Sequence, residues 1–228
     1  MLQAEWASGI GAGRIEIECG VVGKLRLFVI RHGETAWVRE RRFAGSRDIP
    51  LTETGRRQCE AVARALAGSV VAAVYASPLE RARASAEVIA KPHGLTVQIA
   101  PAFSEMAFGP WEGLTGDEVR ARFPEDWAQW RSAPHLCRLS DGDTLPGVAE
   151  RVAKGLEQMR EAHAGQSVVL VSHAIVARVL VLGALGLGLE RIWTLDAAPA
   201  GITEIEYEPG WATVHRMNTV AHLEAAAP

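Results

Sequence analysis

Short apolar runs punctuate a polar chain. Leu25 to Ile30, Val70 to Ala76, Leu95 to Ala100 and Val168 to Val171 each read as a buried strand. Between them the apolar positions recur at helical spacing. Cys59, Val62, Ala63 and Leu66 predict a helix that starts at a Thr52 cap and runs to about Gly68. Ser77-Pro78-Leu79-Glu80 reads as a capping box with proline at the first helical position, opening a helix that continues through Ala86 and Ile89 to Gly94. Thr115-Gly116-Asp117-Glu118 is a second capping box, on a short helix closed by Pro124. Val148, Val152, Leu156 and Met159 predict a long amphipathic helix ending near Gly165, and Ile175 to about Leu185 an apolar one. Gly201 to Tyr207 and Trp211 to Met217, flanking Pro209-Gly210, predict a hairpin at the sheet margin. Asp126 to Asp143, with Trp127, Trp130, Pro134 and His135, follows no period and reads as an insertion outside the core. Strands alternating with helical crossovers predict an α/β fold of three layers, a mostly parallel central sheet with helices on both faces.

At 228 residues the chain suits one core. Residues 1–23 carry five glycines and little periodicity beyond Ile15-Glu16-Ile17-Glu18, and read as a mostly disordered extension. Residues 24–223 form a single domain, and 224–228 a short tail. A net charge of -3 argues against a general nucleic-acid binder. Three cysteines (Cys19, Cys59, Cys137) form no CxxC pair and their number is odd, which suits reduced thiols. The longest apolar stretch, Ile175 to Leu189, is interrupted by Arg178 and falls short of a membrane span. No basic start followed by an apolar segment marks a signal peptide. The expectation is a soluble cytoplasmic protein, without membrane or nucleic-acid partners, for which a homodimer is a possible assembly.

Chemistry gathers where strands end. The first strand delivers Arg31-His32-Gly33, a cation, an imidazole and a flexible backbone, to the strand edge where ligands bind in open α/β sheets. An arginine fork suits a phosphate, and a neutral histidine can act as a nucleophile. Gly33 would let the backbone approach the ligand closely. The strand at Val168 delivers a second histidine, in Ser172-His173-Ala174. Arg81 falls in the first turn of a helix, where backbone N–H groups already favour an anion. Glu105 and Glu112, in a loop rich in glycine and aromatic residues, are candidate acids or bases. The stretch with Arg39, Arg41, Arg42 and Arg47 could wall the substrate. Two arginines roughly neutralise a phosphate monoester. His32 could then attack phosphorus in line, His173 could hydrogen-bond the equatorial oxygens, and Glu105 could pass a proton to the departing alcohol.

Arg31-His32-Gly33-Glu34-Thr35, Ser77-Pro78-Leu79-Glu80-Arg81-Ala82, Glu105 through Gly113 and Ser172-His173-Ala174 together resemble the histidine phosphatase superfamily, in its phosphoglycerate-mutase-like branch. Gly45, Asp48, Pro50-Leu51-Thr52, Gly55 and Asn218 to Leu223 add to the likeness, which spans about Lys24 to Leu223. The resemblance implies a phosphoglycerate-mutase-like fold and a metal-independent phosphatase with no cofactor, acting on a small phosphorylated metabolite such as a sugar phosphate, a phosphoglycerate or α-ribazole phosphate. It implies His32 as the phosphorylated nucleophile, Glu105 as acid and base, and a phosphate pocket of Arg31, Arg81 and His173. Ala44, Gly45 and Ala174 would border the substrate. Three positions depart from the family pattern: Val38 in place of an asparagine that contacts phosphate, Ala174 in place of glycine, and Asp143-Thr144 in place of Glu-Ser.

Three rivals share parts of this set. A zinc hydrolase could use two histidines and a glutamate. At roughly 5 Å and an effective dielectric near 20, however, each arginine would repel each unit of metal charge by about 3 kcal/mol. A cofactor-dependent phosphoglycerate mutase needs the same five residues, but family mutases tend to carry extra segments over the site. A non-catalytic phosphate-binding module needs the arginines but not both a nucleophile and an acid. The phosphatase stands ahead of the mutase, and the binding module is third.

Overall fold

A computed structural model describes residues 23–224. The expectations for residues 1–22, including the Ile15 to Glu18 alternation, lie outside them. Six strands form one sheet: β1 (Leu25–Arg31), β2 (Ala73–Ala76), β3 (Val97–Ile99), β4 (Ser167–Ser172), β5 (Ile202–Glu208) and β6 (Trp211–Thr219), in the order β3-β2-β4-β1-β5-β6. The pairs among β1 to β4 are parallel, and the β5/β6 hairpin joins β1 antiparallel. The helices are α1 (Ala36–Arg39), α2 (Glu53–Leu66), α3 (Glu80–Ala90), α4 (Gly116–Arg122), α5 (Pro124–Ser132), α6 (Leu145–Ala162), α7 (Ala174–Leu185) and α8 (Ala221–Glu224).

Strand periodicity divides the apolar side chains between two cores. Leu25, Leu27 and Val29 of β1 point with Val168 and Leu170 of β4 to one face, which α6 and α7 cover. Phe28 and Ile30 point with Val169 and Val171 to the other, which α2 and α3 cover. Burial on both faces is why β1 and β4 read as continuous apolar runs rather than alternating ones. The three-layer, mostly parallel architecture is the one expected.

Three local expectations change. The second strand begins at Ala73 rather than Val70, which is 90 % exposed. The third shrinks to Val97–Ile99, which among the described residues stands at the edge of the sheet, paired to β2 alone. The stretch from Asp126 to Asp143 is not an insertion outside the core. Pro124 starts α5, which carries Trp130 into the first core beside Phe108, Trp111 and Trp193, and Cys137 and Leu139 follow it inside. These apolar residues bury without a clean helical period because each meets a different neighbour, so periodicity could not find them.

Candidate active site

The ends of three adjacent strands build the site. β4 lies between β2 and β1, and the register pairs Arg31 with Ser172 and Ala76 with Val171. His32 N–H donates to the Ser172 carbonyl at 2.9 Å and Ser77 N–H to the Val171 carbonyl at 3.1 Å. His173 therefore emerges with His32 on one side and Ser77 on the other.

His32 is fixed in one tautomer. Its Nδ1 lies 2.8 Å from the Gly33 carbonyl, which can only accept, so Nδ1 carries the proton. Nε2 keeps its lone pair and accepts from Arg81 Nε–H at 3.2 Å. Burial, then the charges of Arg81 and Arg31, holds the ring well below the usual histidine range, so it is neutral near pH 7. A neutral imidazole with an unprotonated Nε2 in a cationic setting is the form a nucleophile requires.

Arg81 is 1 % exposed and makes two further bonds, to the carbonyls of Arg47 at 2.6 Å and Gly45 at 2.8 Å. It thus ties the loop after α1 to the site. Gly45 adopts φ +49°, and a Cβ there would collide with the Glu112 carboxylate. That carboxylate accepts from Ser46 and Phe108 backbone N–H and pairs with Arg47 at 3.2 Å. Of the two candidate carboxylates, Glu112 pins this loop, while Glu105 faces the pocket. Glu105 accepts from its neighbour Met106 N–H at 3.0 Å and lies 3.5 Å from Ile175 N at the start of α7.

The pocket measures about 250 Å³. Arg31, His32, Arg81 and Glu105 line it, as do Ala44, Gly45 and Ala174. Val38, at the departure from the family pattern, lines it too. Burial draws Arg31 down to about 10, Glu105 opposing and Arg178 and Arg81 adding to the fall, so it stays cationic at neutral pH. His173 is fully buried, its ring centroid 5.2 Å from that of His32. Burial first, then Arg81, His32 and Arg31, keeps it neutral as well. Among the described residues no group of three or more His, Cys, Asp or Glu side chains is placed to hold a metal ion.

Two sequence readings need correction. Gly33 does not serve ligand approach: a Cβ there would strike the Gly55 carbonyl and the Cys59 sulfur, so the missing side chain lets the turn pack on α2. Ser77 does not cap α3. The helix starts at Glu80 with no side-chain cap bond from its own flank, and Asp48 of the distant loop accepts from Glu80 N–H at 2.7 Å.

Arg178 is the charged group that the sequence reading left out. It lines the pocket, donates to the Leu195 carbonyl at 2.9 Å and stacks its guanidinium 5.5 Å from the Trp193 ring centroid. The signal was its isolation: one cation in an otherwise apolar helix, four residues after Ala174 and so on the same face. Trp130, Trp193, Phe43 and Phe108 also line the pocket, without any local pattern that marks them. Of the arginine-rich stretch, Arg41 and Arg42 reach the pocket and Arg39 and Arg47 do not.

Known proteins share this family pattern and fold. The family model "Histidine phosphatase superfamily (branch 1)" matches residues 27–220. A relative named phosphoserine phosphatase 1, from Hydrogenobacter thermophilus, is 31 % identical over 87 % of this chain and 94 % of its own length. A probable phosphoglycerate mutase of Yersinia pestis is 29 % identical over 89 % and 97 %. The solved structure of the YhfR protein of Bacillus stearothermophilus superposes with a TM-score of 0.83 at 30 % identity, covering 87 % of this chain and 99 % of that one. With the motifs, the sheet order and these matches in agreement along nearly the whole described chain, the protein belongs to branch 1 of the histidine phosphatase superfamily.

Proposed function

We propose that this chain hydrolyses small phosphate monoesters through a phosphohistidine at His32, without a metal ion. The observation that carries the reading is the state of His32: neutral, protonated on Nδ1, with the Nε2 lone pair held by Arg81 at the wall of a pocket that also presents Arg31 and Glu105.

In this reading Arg31 and Arg81 neutralise the phosphate dianion. His32 Nε2 attacks phosphorus in line. The P–O bond breaks, its electron pair passes to the leaving oxygen, and that oxygen takes the proton from Glu105. Glu105, now a carboxylate, accepts a proton from water. The water oxygen bonds to phosphorus, the P–N bond breaks, and its electrons return to Nε2. Phosphate leaves with Glu105 protonated again. The arginines supply the charge stabilisation that a metal supplies elsewhere. The relatives' names point to phosphoserine and phosphoglycerate as first substrates to try.

Rapid quench of the chelator-treated protein with 32P-labelled substrates tests both claims. The expected product is a phosphoenzyme labile to acid and stable to alkali, absent from His32→Ala, followed by release of inorganic phosphate. An acid-stable label, or turnover lost on chelation and restored by zinc or magnesium, overturns the reading. Transfer of the label to a second carbon of phosphoglycerate in place of water points to the mutase.

A further inference from the structure

The sequence motif that the chemistry above leaves unused is Ser77. Its capping role falls to Asp48, yet its side chain is fully buried against His173. Ser77 Oγ lies 2.7 Å from His173 Nε2 and accepts from Leu79 N–H at 3.3 Å. The other ring nitrogen, Nδ1, is buried and has no hydrogen-bond partner among the described residues.

We propose that Ser77 is a positioning residue that holds His173 as its Nδ1–H tautomer, so that His173 meets the phosphoryl group as a neutral hydrogen-bond donor. The proposal rests on the function just given and adds a residue to it.

The argument is one of proton accounting. Ser77 Oγ already accepts from Leu79, and among the described residues its own proton has one acceptor, His173 Nε2. The chain Leu79 N–H to Ser77 Oγ–H to Nε2 leaves the imidazole proton on Nδ1. The reverse assignment would strand the hydroxyl proton in a buried place. Tautomer matters here because the ring is not charged. His173 is neutral near pH 7 through burial and the nearby arginines, so only one of its nitrogens can donate. With Nε2 committed to Ser77, that nitrogen has to be Nδ1. His32 carries its proton on Nδ1 too, but for the opposite purpose: there the Nε2 lone pair is kept for attack, while in His173 the Nδ1 proton is kept for donation.

Sheet order makes this device possible. Ser77 and His173 are 96 residues apart, yet β2 and β4 are neighbours, and both residues stand just beyond their ends.

The test is 15N NMR of histidine-labelled protein near pH 7.5, with the His173 signals assigned by their loss in His173→Asn. In the unmodified protein Nδ1 should show a pyrrole-type shift and Nε2 a pyridine-type shift. Ser77→Ala should give a mixture of tautomers or the inverted one, with kcat/KM reduced roughly 10- to 100-fold, below the cost of deleting a whole transition-state donor. Ser77→Thr, which keeps the hydroxyl, should restore both. A pyridine-type Nδ1 in the unmodified protein overturns the proposal without any variant. So does an unchanged tautomer in a folded Ser77→Ala, whatever its rate. The NMR result does not depend on turnover, so a protein that hydrolyses no monoester would sink the proposed function and leave the tautomer assignment to be judged alone.

Discussion

At the scale of single residues, the site is governed by where two protons sit. His32 and His173 are both buried and neutral, and each has one ring nitrogen committed to a fixed neighbour, Gly33 in one case and Ser77 in the other. Keeping them neutral has a consequence for stability. In the unfolded chain both titrate near 6.5. Their folded values lie well below that, chiefly through burial, and His222 shifts the same way. Below about pH 6.5 the unfolded state therefore binds more protons than the native one. Stability is complete above that pH and is lost as the pH falls. Two buried histidines together set a slope approaching roughly 2.7 kcal/mol per pH unit. Urea midpoints should fall between pH 7.5 and pH 5.5, and His173→Gln should show a shallower fall. A midpoint that stays level across that range contradicts the neutral assignment.

At the scale of elements, helix starts show how a local signal succeeds or fails. The Thr115 capping box forms as read, with Thr115 Oγ1 accepting from Glu118 N–H and the Glu118 carboxylate from Thr115 N–H. The two bonds of the box lie within four residues, although Glu118 also accepts from Arg42 at 2.9 Å. The Ser77 box has the same local pattern, but Ser77 Oγ accepts from Leu79 N–H, one residue before the helix, and its other partner is a histidine from the end of another strand. One orphan N–H of α3, that of Glu80, is met from the loop by Asp48. Asp48→Ala should cost about 1 kcal/mol, a drop in Tm of roughly 2–4 °C for a chain of this size. Because α3 carries Arg81, which also grips the carbonyls of Gly45 and Arg47, KM should rise as well. A Tm within error of the unmodified protein would show that Asp48 is not the cap.

At the scale of the whole molecule, the sheet order and the aromatic layer over one face decide the shape of the pocket. α5 looked dispensable because its apolar positions have no period, yet Trp130 is 2 % exposed and stacks edge to face on Phe108, Trp111 and Trp193. The Trp193 indole N–H donates to the Trp130 carbonyl at 2.9 Å, which joins α5 to the turn after α7. The same two tryptophans line the pocket, so core and substrate wall are one structure. Trp130→Ala should lose about 3–5 kcal/mol, lowering Tm on the order of 10 °C. A drop of only a degree or two in a thermal melt would return α5 to the status of an insertion.

The sequence by itself determined the alternation of strand and helix and the two faces of the sheet, and it singled out Arg31, His32, Arg81, Glu105 and His173 as candidates, because periodicity, most caps and motif order are short-range properties of the chain. The tertiary structure alone decided the placement of β4 between β2 and β1, the partner of Ser77, the division of labour between Glu105 and Glu112, and the packing of Gly33 on α2. Each of these depends on which of several chemically equivalent partners arrives within about 3 Å, a choice made between residues tens of positions apart and settled only when the layers pack.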